Sequence, residues 1–195
     1  MTPPAAAPVD KLVDAVIAVL LEEGFEGVSV RKVAARAGVS IGAVQHHFPT
    51  KDAMLTAAMD RASAEFEQRL AADLPADPSA EEALRAVVEE LLGVGEARRT
   101  ATVVWTQRLA RAMVDAAMRE RHAREWGQVE DLLAGLLLGA RPQRGESWAR
   151  DSAASLLALL DGLAVAQVTE PGRIDEARAR RLAADGLAAT LGSAD

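Results

Sequence analysis

Basic, polar and small side chains are concentrated in one short window near the amino terminus. The chain as a whole is acidic, with 29 Asp and Glu against 22 Lys and Arg and a formal net charge of −7 at pH 7. Residues 27–51 nevertheless include no acid, and their charged side chains are Arg31, Lys32, Arg36 and Lys51, beside two histidines. Because the solvated surface of an acidic protein normally carries Asp and Glu, this window predicts a nucleic-acid-binding module on an acidic body.

The other reactive residue types form no catalytic or metal-binding pattern. The sequence has no cysteine and three histidines, which excludes thiolate metal sites, iron–sulfur clusters, disulfides and a cysteine nucleophile. His46 and His47 are adjacent on a predicted helix, where their side chains point about 100° apart and are poorly placed to share a metal. Nucleophile elbows, phosphate-cradling glycine loops and helical His-Glu-x-x-His patterns are absent from the sequence. We therefore expect no enzymatic activity, no metal and no cofactor.

The basic window has the pattern of two short helices joined by a tight turn. Ser29 and Ser40 are suited to cap the second and third helices of the chain, because a serine hydroxyl accepts a hydrogen bond from a first-turn N–H. Gly38 ends the second helix, and the third helix runs to Phe48. A three-residue turn containing glycine between two such helices is typical of a helix-turn-helix.

The third helix has one apolar side and one side of small or hydrogen-bonding residues. Val44 and Phe48 define its buried side. The opposite side and its edges carry Gly42, Ala43, Gln45, His46 and His47. A face of this kind, preceded by a helix start with free N–H groups for a phosphate, suits insertion into a DNA groove. The alternative is an ordinary solvated helix. The absence of Asp and Glu from residues 27–51 makes this alternative less consistent with the sequence.

Composition predicts an all-α protein of about nine helices. Alanine accounts for 42 of the 195 residues, and residues that favour strands are sparse. We place an amino-terminal three-helix DNA-binding domain at residues 9–55 and a larger helical ligand-binding and dimerisation domain at 56–195, with residues 1–8 disordered. Within the second domain, Ser79 and Glu82 follow a proline-rich break and form a capping box for the next helix.

The sequence predicts a soluble, cytoplasmic protein with no membrane partner. Uninterrupted apolar stretches are far shorter than the roughly 18 residues of a membrane span. The first ten residues include none of the basic residues that begin a secretory signal, and the apolar stretch after them contains Asp14.

The run from Ser29 to Leu55 resembles the signature of the TetR family of bacterial transcriptional regulators, and the resemblance is strong from about Val9 onward. It implies that Gly42 and Ala43 approach bases, while neighbouring residues contact phosphates or base edges. The full DNA-binding set predicted in this way is Ser29, Arg31, Ser40, Ile41, Gly42, Ala43, Gln45, His46, His47 and Lys51.

The chain departs from the usual family pattern at three places. Gln45 replaces the usual Tyr and Ala43 the frequent Thr, so that Gln45 contacts either a phosphate or a base. Many family members also carry Arg or Lys before the first helix, whereas residues 1–10 of this chain have neither. A minor-groove arm is therefore not expected.

The carboxy-terminal half is similar to BetI-type ligand domains around Trp105, in the run Glu120–Trp126 and in Leu159–Leu163. The similarity implies that the last two helices pair with their copies in a second subunit. The helix from Ser147 to Thr169 is apolar around most of its circumference, which fits either that interface or a central core helix. The interface residues predicted for a homodimer are Leu156, Leu160, Leu163, Leu182 and Leu187.

Large aromatic and polar residues in an Ala- and Leu-rich interior predict a binding site for a small, largely apolar molecule. Aromatic faces at such a site also suit a cation. The predicted ligand-binding residues are Trp105, Arg108, Met113, His122 and Trp126. The alternative for each aromatic residue is plain core packing.

Together these patterns predict a homodimeric repressor that binds a palindromic operator in double-stranded DNA and is released by a small-molecule ligand. A dimer places two recognition helices in successive major grooves, about 34 to 36 Å apart. The alternative is a helical small-molecule-binding or scaffold protein with a degenerate DNA-binding domain. A salt-dependent shift of promoter DNA distinguishes the two.

Overall fold

The computed structural model describes residues 9–192, and the predicted disorder of residues 1–8 lies outside this range. All regular structure over the described range is helical, as predicted. The nine α-helices of this range are α1 (Val9–Gly27), α2 (Val30–Ala37), α3 (Ile41–His47), α4 (Lys51–Asp73), α5 (Ala80–Leu91), α6 (Glu96–Ala112), α7 (Ala116–Ala140), α8 (Glu146–Thr169) and α9 (Glu176–Leu191). One 3₁₀ turn, Pro142–Arg144, lies between α7 and α8.

The chain divides into two compact units after Glu65. We call them unit 1, residues 9–65, and unit 2, residues 66–192. Unit 1 contains α1, α2, α3 and most of α4, whereas residues 66–73 of α4 belong to unit 2. The core of unit 1 includes Leu12, Val16, Leu20, Val33, Val44, Met54 and Leu55.

Local signals set both ends of α2 and the start of α3 as predicted. In α1, Gly24 has φ 70° and ψ −174°, which interrupts the helical geometry shortly before the last residue, Gly27. Ser29 caps α2, and Gly38 ends it in the left-handed conformation with φ 64°. Ser40 accepts a hydrogen bond from the backbone N–H of Ala43 at the start of α3.

Unit 2 is built around α8, which contacts α5, α6, α7 and α9. The predicted capping box at the start of α5 is present, since Ser79 and Glu82 each accept a hydrogen bond from the other's backbone N–H. Gly186 permits the close approach of α9 to α8, because a Cβ atom at this position would lie 2.3 Å from Leu159 Cδ2. Because α8 contacts four other helices, its leucines lie among helices of their own chain.

Four of the five leucines that we expected at an interface between subunits instead fill the core of unit 2. Leu156, Leu160, Leu163 and Leu187 are 0–6% exposed within the single chain, whereas Leu182 is 36% exposed. Packing of α8 against four helices buries these four side chains, so they present no surface to a partner. Within the single chain, α8 therefore packs as a core helix.

Within the described range, α8 is also the one helix long and apolar enough to cross a membrane, with a mean hydropathy of 1.5 in its most apolar window. Core helices of water-soluble proteins share this property. The side-chain amide of Gln167 in α8 is buried and donates to the carbonyls of Leu92 and Leu163. Contacts with protein on several sides, including these polar ones, identify α8 as a core helix.

We predict that Leu160→Ala lowers the free energy of unfolding by about 2 to 5 kcal/mol, because it removes a fully buried side chain and leaves a cavity. Leu132→Ala removes the same atoms from a position on α7 that is 41% exposed, so it should lower the free energy of unfolding by only about 0.5 kcal/mol. Chemical denaturation of both variants checks this. Equal losses in the two variants would contradict the core assignment of Leu160.

Candidate DNA interface and ligand site

The face of α3 opposite its core side is open to solvent. Ile41 is 49% exposed, and Gly42, Gln45 and His46 are also exposed. A Cβ atom at Gly42 would meet nothing closer than the Ser40 hydroxyl at 3.9 Å, so the fold of unit 1 does not require glycine here. The absent side chain leaves this side of α3 free for close approach by another molecule.

Two serines predicted to contact DNA also cap helices. The Ser29 hydroxyl oxygen accepts from the Lys32 backbone N–H at 3.4 Å, and the Ser40 hydroxyl oxygen accepts from the Ala43 N–H at 3.1 Å. Each hydroxyl proton remains able to donate to an outside acceptor. Ala43 and His47, also in the predicted set, are half-buried on α3.

Acids of α1 neutralise part of the basic window. Arg36 Nη1 lies 2.6 Å from Glu22 Oε2, and Lys32 forms an ion pair with Glu23. The hydrogen bond and charge of Arg36 lower the pKa of Glu22. A window without acids in the sequence therefore has acids beside it in space. Arg31, by contrast, is exposed and forms no ion pair with the described residues.

Lys51 is held at the start of α4 by groups near the end of α1. Its Nζ atom lies 4.3 Å from the centroid of the Phe25 ring and 3.7 Å from Glu26 Oε2. It also donates to the Glu26 carbonyl at 3.4 Å. These contacts give the Lys51 ammonium group a fixed place in unit 1 while leaving it partly exposed.

Four of the five residues predicted to bind a ligand form one cluster in unit 2, which we call the aromatic cluster. The rings of Trp105 and Trp126 are stacked, with centroids 5.1 Å apart and an interplanar angle of 8°. The His122 ring lies 5.0 Å from Trp126, and Arg108 Cζ lies 5.2 Å from the same ring. The structure does not bring Met113 into this cluster, because it lies just after α6 and is 75% exposed.

Two acidic residues that we did not predict complete the cluster. Glu125 pairs with the buried Arg108 and accepts from Arg121 Nε at 2.7 Å. Trp126 Nε1 donates to Asp161 Oδ2 at 2.8 Å. Glu125 is four residues from Arg121 on α7, a spacing that predicts their pairing, whereas Asp161 lies 35 residues from Trp126 and no local pattern connects them.

Burial sets the protonation of the cluster. Desolvation raises the pKa of Asp161 to about 6, against the lowering effect of its hydrogen bond with Trp126. Burial and then the charge of Arg108 lower the pKa of His122. The imidazole is therefore neutral at pH 7, and the Asp161 carboxyl titrates just below neutrality.

An ion-pair network that the sequence did not reveal lies at the end of α4. The Glu90 side chain of α5 is 2% exposed, and its two oxygens lie 2.7 Å from Arg69 Nε and 2.5 Å from Arg98 Nε. Arg98 also reaches Asp73 at 3.0 Å. This ion-pair network connects the last turns of α4 with α5 and the start of α6.

The described residues contain no group of three or more His, Cys, Asp or Glu side chains placed to hold a metal ion. The arrangement in unit 2 instead provides aromatic faces, a guanidinium and hydrogen-bonding groups. Groups of these kinds can contact an organic molecule.

A helix-turn-helix unit followed by a larger helical unit is the arrangement of a DNA-binding regulator. Residues 12–58 match the family described as bacterial regulatory proteins, tetR family. Residues 80–192 match the family described as BetI-type transcriptional repressor, C-terminal. The chain belongs to the TetR family of transcriptional regulators and has a BetI-type carboxy-terminal domain.

Individual relatives are similar over nearly their whole length. The transcriptional regulator BetI of Burkholderia ambifaria is 30% identical over 94% of this chain and 93% of its own. The crystal structure of a transcriptional regulator from Rhodococcus sp. Rha1 is 33% identical, with a TM-score of 0.82 over 95% of this chain and 96% of that one. The multidrug binding protein EbrR, solved with imidazole, is 28% identical, with a TM-score of 0.63 over 95% and 93% of the two chains.

We predict that Asp161→Asn stabilises the protein at pH 7 but not at pH 4. The folded-state pKa of about 6 exceeds the ordinary value of 3.8. Between these two pH values the folded state binds more protons than the unfolded state, so the free energy of unfolding of the wild type falls as the pH rises from about 4 to about 6. An asparagine amide oxygen still accepts from Trp126 and does not titrate. The stability difference should grow by about 2 kcal/mol from pH 4 to pH 7, and thermal unfolding at several pH values measures it. A pH-independent difference would contradict the raised pKa.

Proposed function

We propose that this protein is a homodimeric repressor that binds a palindromic operator in the cytoplasm and is released from it by a small organic ligand. The observation that carries the proposal is the course of α4. This helix begins at Lys51, next to the predicted DNA-binding face, and ends at Asp73 within the Glu90 ion-pair network. It gives a ligand in unit 2 a physical route to the DNA-binding residues.

In this proposal, α3 enters the major groove. Gly42 and Ala43 approach base edges most closely because they have the smallest side chains, and Gln45 reads a base. Phosphate contacts come from the exposed or partly exposed polar groups on and near α3. The candidates are Ser29, Arg31, Ser40, His46, His47 and Lys51, while Ile41 contributes apolar contact.

The dimer in this proposal uses the outer sides of α8 and α9. Ala154, Ala158 and Gly162 are exposed along one side of α8, and Leu182 is exposed on α9. Small residues let two helices approach closely, and a two-fold axis places the same residues on both sides of the contact. This face replaces the core leucines named in the sequence analysis.

The ligand in this proposal occupies the aromatic cluster and acts through α6. Arg98 and Arg108 are both on α6, so a shift of this helix caused by a ligand at Arg108 also moves the partner of Glu90. Glu90 and Asp73 then pass the shift to the end of α4. Ligand and operator affinities are coupled by linkage, so that each weakens the other by the same factor. The name of the relative EbrR, a multidrug binding protein, supports this role.

The experiment that tests the proposal is selection of genomic fragments by the purified full chain, followed by anisotropy titrations of the selected sites. We expect palindromic sites and a DNA affinity that falls steeply with salt concentration. We also expect the protein to be released from these sites by metabolites on which the products of the neighbouring genes act. Failure to select any site, together with small-molecule binding, would favour the alternative of a helical binding or scaffold protein.

We predict different effects for two substitutions at the DNA interface. Gln45→Ala should cost about 1 to 3 kcal/mol on the operator, mainly at one base pair, because an amide reads adenine in the major groove. Arg31→Ala should weaken binding to all sequences and reduce the salt slope by about one unit, because a phosphate contact carries no sequence information. Titrations against operator variants check both. Uniform loss across operator variants in Gln45→Ala would make Gln45 a backbone contact.

We predict that Ala158→Glu yields a folded monomer. The two-fold axis would bring two unpaired carboxylates into the proposed interface, at a cost of several kcal/mol. Ala123→Glu, on an exposed position of α7, is the matched control and should leave the dimer intact. Sedimentation measures the assembly, and circular dichroism checks the fold. A dimer that survives Ala158→Glu excludes this face, and a monomeric wild-type protein at micromolar concentration excludes the dimer itself.

A further inference from the structure

The ring nitrogen atoms Trp105 Nε1 and His122 Nδ1 of the aromatic cluster are buried without a hydrogen-bond partner in the described part of the chain. An indole N–H can only donate, so the group at Trp105 requires an acceptor. A buried donor left without an acceptor costs free energy, which makes its persistence informative about what the site binds.

The neighbouring indole shows that the fold can satisfy such a group. Trp126 Nε1 donates to Asp161 at 2.8 Å, although both residues are partly buried. Trp105 is stacked on Trp126 in the same cluster and has no equivalent acceptor among the described residues. The difference between these two stacked indoles points to a bound molecule as the acceptor for Trp105.

The occupied aromatic faces of Trp126 disfavour an organic cation as that ligand. The Arg108 guanidinium already lies 5.2 Å from the centroid of Trp126, where a bound cation would find its aromatic face. Trp105 covers a face of the same ring. Glu125 is shared between two guanidinium groups, and the carboxyl of Asp161 already accepts from Trp126. Arg108 therefore takes the place against Trp126 that an ammonium group would need.

We propose that the ligand of this site is an aromatic or other apolar molecule bearing an anionic oxygen, as in an aromatic carboxylate, which accepts hydrogen bonds from Trp105 Nε1 and His122 Nδ1. His122 donates in its Nδ1-protonated neutral tautomer. Arg108 stabilises the negative charge, and the apolar part of the ligand packs against the Trp105 ring. This inference rests on the proposed function, because it specifies the chemical class of ligand for the proposed ligand site.

The test compares benzoate with phenyltrimethylammonium, which has a similar size and the opposite charge, by calorimetry on the full chain. We expect benzoate to bind at least about tenfold more tightly. Trp105→Phe keeps an aromatic ring but removes the N–H, and it should lower benzoate affinity by about tenfold. Trp148→Phe, outside the cluster, is the matched control and should bind benzoate as the wild type does.

Nuclear magnetic resonance distinguishes ligand contact from a purely structural role of Trp105, because only ligand contact shifts the indole N–H signal of this residue. The three tryptophans give three indole N–H signals, assigned with the Phe variants. Benzoate should shift the Trp105 signal downfield and leave the Trp148 signal in place. Tighter binding of phenyltrimethylammonium, no benzoate binding at millimolar concentration, or binding without a Trp105 shift each overturns the inference.

Anisotropy of operator DNA separates this inference from the proposed function. Benzoate binding at Trp105 with unchanged operator affinity supports the ligand class and contradicts ligand-released repression. Release of the operator by phenyltrimethylammonium, with no effect of benzoate, has the opposite meaning. It overturns the ligand class and supports ligand-released repression.

Discussion

The buried carboxylate of Glu90 is the constraint on which the arrangement of α4, α5 and α6 in unit 2 depends. A charge that is 2% exposed is tolerated only where opposite charges and hydrogen bonds replace the water around it. Arg69 of α4 and Arg98 of α6 provide both. Removing either arginine would leave a buried charge incompletely compensated. The end of α4, the body of α5 and the start of α6 are therefore fixed jointly rather than one pair at a time.

A joint constraint of this kind is suited to a switch. Apolar contacts tolerate small sliding movements, but a buried ion pair weakens steeply when its hydrogen-bond geometry is lost. A ligand that shifts α6 changes the position of Arg98, and α4 must then follow or lose its interaction with Glu90. The physical requirement for allostery is an element with two arrangements that both sites influence. Under the proposed function, the end of α4 is that element.

Sequence reasoning located features that depend on neighbouring residues and missed those that depend on distant ones. The caps at Ser29, Ser40 and Ser79 involve groups three residues away, so their patterns are visible in the sequence. Glu90, in contrast, is 21 residues from Arg69, and no spacing rule pairs them. Periodicity showed that Leu160 is buried but did not show whether its own chain or a partner buries it. The same limitation explains why the acids of α1 beside the basic window were not anticipated.

Family membership constrains the ligand of unit 2 less than its residues do. A BetI-type domain defines a fold, whereas recognition depends on the charges and hydrogen-bond donors that line a site. In this chain, Arg108 places a guanidinium against the tryptophan that a cationic ligand would otherwise contact, and Trp105 presents a donor without an acceptor. Under the proposed ligand class, these two features act together, because the anionic oxygen of the ligand accepts from Trp105 and lies near Arg108. The proposed class therefore rests on the local charge and donor pattern of this chain.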